Sequence, residues 1–73
     1  MNISAHWKVF DRSGAEIDAI EKTLHEITKC GVMRTEVLIH GNYDAKYVLK
    51  GNVTAQALED ACSFMDDSGA YPV

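Results

Sequence analysis

The side chains able to do chemistry are scattered along this chain. His6, His25 and His40 and the thiols Cys30 and Cys62 stand singly. None falls into the Cys-x-x-Cys, His-x-x-x-His or His-Glu-x-x-His spacings that bring several ligands to one zinc ion, so no metal is expected. No glycine-rich phosphate loop occurs and no cofactor is implied. Cys62 reads as a small apolar core residue and Cys30 as a partly exposed thiol, both reduced. The nearest approach to an oriented base is a cross-strand His40/Asp44 pair, ordinarily a weak surface contact with no nucleophile tied to it. A non-enzymatic protein is expected.

The charges are more informative. The chain has 73 residues, seven basic and eleven acidic, for a formal net charge of -4. All the basic side chains (Lys8, Arg12, Lys22, Lys29, Arg34, Lys46 and Lys50) lie in the first 50 residues, beside seven acidic ones. The deficit therefore belongs to the segment after Lys50, where Glu59, Asp60, Asp66 and Asp67 stand without a cation. A chain this short buries only about 60% of its unfolded surface, which allows one thin core and argues against an enclosed active site. One domain over residues 1–73 is expected. No apolar run approaches the roughly 20 residues that span a bilayer, and the first residues lack a secretory pattern, so the reading is cytoplasmic with no membrane partner.

The elements that position these groups follow from hydrophobic period. Residues 3 to 10 alternate, with Ile3, Ala5, Trp7 and Val9 on one side, as in a half-buried strand. Ser13 followed by Glu16 is a capping box, and Ile17, Ile20, Leu24 and Ile27 form the apolar stripe of a helix that Gly31 would end. A short returning strand over Ala15 to Ile17 is the alternative start. Residues 32 to 40 and 43 to 50 alternate again and predict a hairpin. Pairing greasy side with greasy side sets Ile39 against Ala45, Val37 against Tyr47 and Thr35 against Leu49. That requires an odd loop of three or five residues with Asn42 at positive φ, and it puts His40 opposite Asp44. Thr54 caps a second helix whose apolar side holds Ala57, Leu58, Ala61, Cys62, Phe64 and Met65. Its last turn is weakened by Asp66 and Asp67 at the negative end of the dipole. Ser68 to Val73 form a flexible tail, folded back on the core or left for a partner.

The expected fold is α+β in the order β-α-β-β-α: a three-stranded antiparallel sheet, order 1-3-2, with two helices on one face. In element order it resembles the ferredoxin-like or RNA-recognition-motif plan with the last strand missing. The other face would show His6, Lys8, Phe10, Arg34, Leu38, His40, Lys46, Val48 and Lys50 against Glu36 and Asp44.

Two surfaces compete for function. The leading expectation is a protein-binding inhibitor or adaptor that presents Glu59, Asp60, Asp66 and Asp67 to a basic surface on a larger partner. By size and charge alone this is the character of phage or mobile-element antagonists, anti-CRISPR-like inhibitors among them. The rival is nucleic-acid or small-ligand binding through Lys8, Phe10, Arg34, Lys46 and Lys50 on the open sheet, disfavoured by the single stacking ring and the net negative charge. A homodimer through an unpaired strand edge is the third possibility.

Overall fold

The computed structural model describes residues 1–73. Its elements are β1 (Asn2–Arg12), α1 (Gly14–Thr28), β2 (Val32–Ile39), β3 (Asn42–Asn52), α2 (Ala55–Asp67) and β4 (Tyr71–Pro72). The four strands form one antiparallel sheet in the order β2-β3-β1-β4. The expected 1-3-2 order holds, and the tail adds a strand beyond it.

Both helices lie on one face. Trp7 and Val9 of β1 and Ala45, Tyr47 and Leu49 of β3 point into a core closed by Ile17, Ile20 and Leu24 of α1 and Ala61 and Met65 of α2. The capping box at the start of α1 forms: Glu16 N–H donates to Ser13 Oγ, and Ser13 N–H donates to the Glu16 carboxylate, each at 3.2 Å. The helix does not run to Gly31. Lys29 takes the left-handed conformation at φ 60° and donates its N–H to the His25 carbonyl. Thr28, buried at that point, turns its hydroxyl back onto the Leu24 carbonyl and also accepts from Cys30 N–H, so the stop precedes the glycine.

The tail is placed by the end of α2. Gly69 at φ 77° lets Gly69 N–H reach the Asp66 carbonyl and Ala70 N–H reach the Met65 carbonyl. This is the paired closure of a Schellman turn, with Ala70 and Met65 both buried beside it. The chain emerges along β1, where Tyr71 pairs with Lys8 and Pro72 with Trp7. Val73 N–H then donates to the His6 carbonyl.

The hairpin departs from the expected register. Its loop is the two residues His40 and Gly41, at φ 51° and 86°, between the paired Ile39 and Asn42. Positive φ at both central positions matches the right-handed twist of the strands, and histidine tolerates that region better than most residues. Asn42 stays in β3, where its amide donates to Asp11 Oδ1. Val37 lies across from Asp44 and Thr35 from Lys46, so the greasy side of β2 adjoins the polar side of β3. The pairs expected at Ile39/Ala45, Val37/Tyr47, Thr35/Leu49 and His40/Asp44 do not form.

The reason lies in what covers β2. The flank of α1 above it offers Asp18, Glu21, Lys22 and His25, not an apolar stripe. Arg34 fits that flank, with its guanidinium 2.7 Å from Asp18, 3.0 Å from Glu21 and 3.3 Å from Glu36. The hydrogen bond that Arg34 donates to Asp18 and the fields of Glu21 and Glu36 outweigh desolvation and raise the Arg34 pKa above its ordinary value. No residue of β2 is fully buried.

Candidate binding surface

The hairpin register decides which side chains share the uncovered face of the sheet. Residues directly opposite in antiparallel strands point the same way, so each row can be read across the sheet. One row runs Met33, Val48, His6. The next runs Thr35, Lys46, Lys8, Tyr71. Val37 with Asp44 and Lys50 with Ser4 extend the face toward opposite ends.

At the other end of β1 a bulge re-aims the strand. Phe10 and Asp11 together face Asp44, with Asp11 at φ 56° and its N–H held by Asp44 Oδ1 at 3.0 Å. Phe10 is thereby left on the open side. Its ring centroid lies 6.0 Å from that of Tyr71, tilted by 51°, and Lys8 Nζ sits 5.7 Å above it. Such a contact is worth about 0.5–1 kcal/mol at an exposed site.

Five large apolar side chains on this face are exposed: Phe10 at 46%, Met33 at 67%, Val37 at 61%, Ile39 at 43% and Tyr71 at 62%. The charges among them are Lys8, Lys46 and Lys50 against Asp44, whose carboxylate accepts from the Asp11 N–H, and Asp11, whose carboxylate accepts from the Asn42 amide. The face is therefore apolar and cationic, at once larger and greasier than the alternation of β2 implied.

Arg34, expected on this face, is not there. It lies on the helix side with Glu36, while Leu38 projects to that side at the exposed end of β2. Lys8, Phe10, Lys46 and Lys50 share the open face, with Lys50 at the end away from Phe10. Tyr71 joins them from the tail, which folds back as one of the two expected alternatives, and Gly69 followed by the apolar Ala70 is the residue pattern of the turn that does so.

The acidic residues occupy a separate surface. Glu59, Asp60, Asp66 and Asp67 are all exposed on α2. None pairs with a cation within the chain, and Asp60 accepts a hydrogen bond from Gln56. Cys62 is exposed among them and not in the core as its position suggested; it lines a shallow groove with Trp7, Ser63, Asp66, Ala70 and Pro72. Both thiols are free. His40 lies in the hairpin turn, away from the Asp44 carboxylate that was to orient it. No group of three His, Cys, Asp or Glu side chains is placed to hold a metal ion. No helix is long and apolar enough to cross a membrane.

Comparison with protein-family models, with curated proteins and with solved structures finds no match to this chain.

Proposed function

We propose that this chain is a small protein-binding module of the inhibitor or adaptor kind, and that it holds its larger partner on the uncovered face of the sheet. The observation that carries this reading is the exposure of Phe10, Met33, Val37, Ile39 and Tyr71 on one side of one sheet. Exposed apolar side chains gathered on one face mark interaction sites, and aromatic residues and methionine are the types enriched in interface cores; here Phe10 and Tyr71 stand toward one edge and Met33, Val37 and Ile39 along the other, with Lys8 and Lys46 between them. The partner that fits is a protein that sets carboxylates against Lys8, Lys46 and Lys50 and apolar contacts on either side of them. The order β4-β1-β3-β2 completes the ferredoxin-like plan that the element order resembled, with its last strand reduced to two residues.

The acidic side of α2 plays a different part in this reading. Glu59, Asp60, Asp66 and Asp67 offer no apolar anchor among them, and exposed charges set encounter rate and orientation more than affinity. They repel an acidic partner from the wrong side and turn the cationic sheet toward it. A basic partner docked directly on α2 is the competing version. Capture from lysate separates the two. Phe10→Ala with Tyr71→Ala is expected to lower retention of a partner by roughly 30-fold or more, the loss of two interface anchors. Reversing Glu59, Asp60, Asp66 and Asp67 to lysine is expected to slow capture without abolishing it. The opposite pattern assigns the site to α2.

One observation favours a second reading. The Phe10–Tyr71 pair with Lys8 above it offers stacking and phosphate contacts to a single-stranded nucleic acid. Aliphatic side chains where further bases would lie, and Arg34 turned away from the face, weigh against it. A low-salt mobility shift that requires Phe10 and Tyr71 would establish this reading in place of the first.

A further inference from the structure

The two edges of the sheet are built differently. At the β1 edge the tail covers Trp7 and Lys8, Pro72 stands in the added strand, and a bulge interrupts β1 at Phe10 and Asp11. These are devices by which proteins prevent sheets from joining edge to edge. The β2 edge has none of them. It runs eight residues, Val32–Ile39, in unbroken register with β3, and contains no proline, glycine or lysine. Its charges, Arg34 and Glu36, lie on the helix side and pair with each other; inward-turned charges are themselves an edge protection, one that a pairing partner of complementary charge would cancel.

The free groups of that edge can be identified. In a hairpin closed by two residues, the flanking pair exchanges both backbone hydrogen bonds, and such pairs recur at every second residue. Ile39, Val37, Thr35 and Met33 therefore bond inward to β3. The N–H and C=O groups of Val32, Arg34, Glu36 and Leu38 point out of the sheet.

We propose that β2 pairs with β2 of a second copy, antiparallel about a two-fold axis through Thr35, to make one eight-stranded sheet. Symmetry allows only registers in which each residue meets one of its own face. Among those centred on Met33 to Val37, a centre at Arg34 or Glu36 sets like charges together, and one at Met33 or Val37 sets Arg34 and Glu36 against uncharged side chains or His40. With Thr35 on the axis, Arg34 meets Glu36, Met33 meets Val37 and Val32 meets Leu38 of the second copy. From Val32 to Leu38 every side chain then finds its own chemical kind or its counter-ion. The outward groups of Val32, Arg34, Glu36 and Leu38 fall in the hydrogen-bonding positions of this register, while Thr35 faces Thr35 in a close non-hydrogen-bonded pair. The contact sets Met33 and Val37 side by side on the uncovered face and Leu38 beside Val32 on the helix side; in the single chain Met33, Val37 and Leu38 are 67%, 61% and 62% exposed.

All helices lie on one side of the joined sheet, and the two uncovered faces form one continuous surface. The pairing uses the edge of β2, so it stands whether or not that surface holds a protein partner. An interface of one strand pair with its flanking helices is small, and a dissociation constant on the order of 10 µM is expected.

Sedimentation equilibrium of the full chain from about 1 to 300 µM tests this. A concentration-dependent monomer–dimer equilibrium is expected. Thr35→Lys, at an exposed position, sets two ammonium groups together on the axis and is expected to weaken dimerisation at least 30-fold without unfolding the chain. Arg34→Glu and Glu36→Arg are each expected to be monomeric alone and to associate when mixed, because each then supplies the charge the other lacks. A monomer throughout the range overturns the proposal. So does a dimer that Thr35→Lys leaves intact. If Arg34→Glu fails to fold, the Thr35→Lys result decides.

Discussion

Replacing valine by threonine on the two sides of the sheet separates its faces with almost no change in shape. Val9 is fully buried in the core between β1 and the helices, whereas Val37 on β2 is 61% exposed. A hydroxyl taken into an apolar core without a dedicated partner costs about 1–3 kcal/mol, and about 2 kcal/mol is expected for Val9→Thr. At Val37 the hydroxyl stays in water and threonine keeps the β-branched shape that strands favour, so the change is expected to stay within about 0.5 kcal/mol. Urea unfolding reads the difference. With a slope of about 1 kcal/mol per molar for a chain of this size, Val9→Thr lowers the midpoint by roughly 2 M, and Val37→Thr by less than about 0.5 M. Measurements at one low protein concentration keep self-association out of the comparison. Equal losses at the two positions would refute the register, because they would place Val37 against the helices, where its alternation with Thr35 and Ile39 suggested it belonged.

Three further outcomes follow from the geometry. Tyr47 donates its phenol to the Ile17 carbonyl at 2.9 Å, and burial pushes its pKa up to about 12. The unfolded phenol titrates near pH 10, so the folded state holds its proton longer. The resulting stability, of order 2–3 kcal/mol, is intact below about pH 10 and lost between about pH 10 and 12. Tyr47→Phe removes that alkaline decline and costs about 1 kcal/mol at neutral pH, as denaturation at the two pH values will show. In the hairpin turn, His40→Asn raises stability by about 0.5 kcal/mol by easing the left-handed conformation, whereas Gly41→Ala lowers it by about 1 kcal/mol, both read as thermal midpoints. Arg34→Met leaves Asp18, Glu21 and Glu36 unneutralised and costs about 1 kcal/mol at low salt, a loss that shrinks in 1 M salt.

The layered architecture was legible in the alternation of Ile3 to Val9, the Ser13–Glu16 box, the stripe Ile17, Ile20, Leu24 and the cap at Thr54, because each is a local preference that the packing agrees with. The face of β2 was not. Hydrophobic alternation says which residues of a strand share a side, but which side is covered depends on the helix above it. The flank of α1 carries Asp18 and Glu21 one turn apart, and with Arg34 and Glu36 alternating on β2 this was the available sign that the polar side turns inward. The loop is hidden for a related reason: Gly41-Asn42 looks like a turn signal, yet the positive-φ pair is His40-Gly41, which shifts every partner across the hairpin. Of the two candidate surfaces, the carboxylates of α2 were visible as a run without cations. The aromatic half of the sheet face needed the Schellman turn at Gly69 to bring Tyr71 beside Phe10.

Photo-crosslinking in living cells tests most directly whether the uncovered sheet face holds the partner. A benzophenone amino acid replaces Phe10 in one protein and Glu59 on α2 in another, and adducts are identified by mass. A partner adduct is expected from the Phe10 position and none, or a trace, from the Glu59 position. The same partner trapped from Glu59 and not from Phe10 would contradict it.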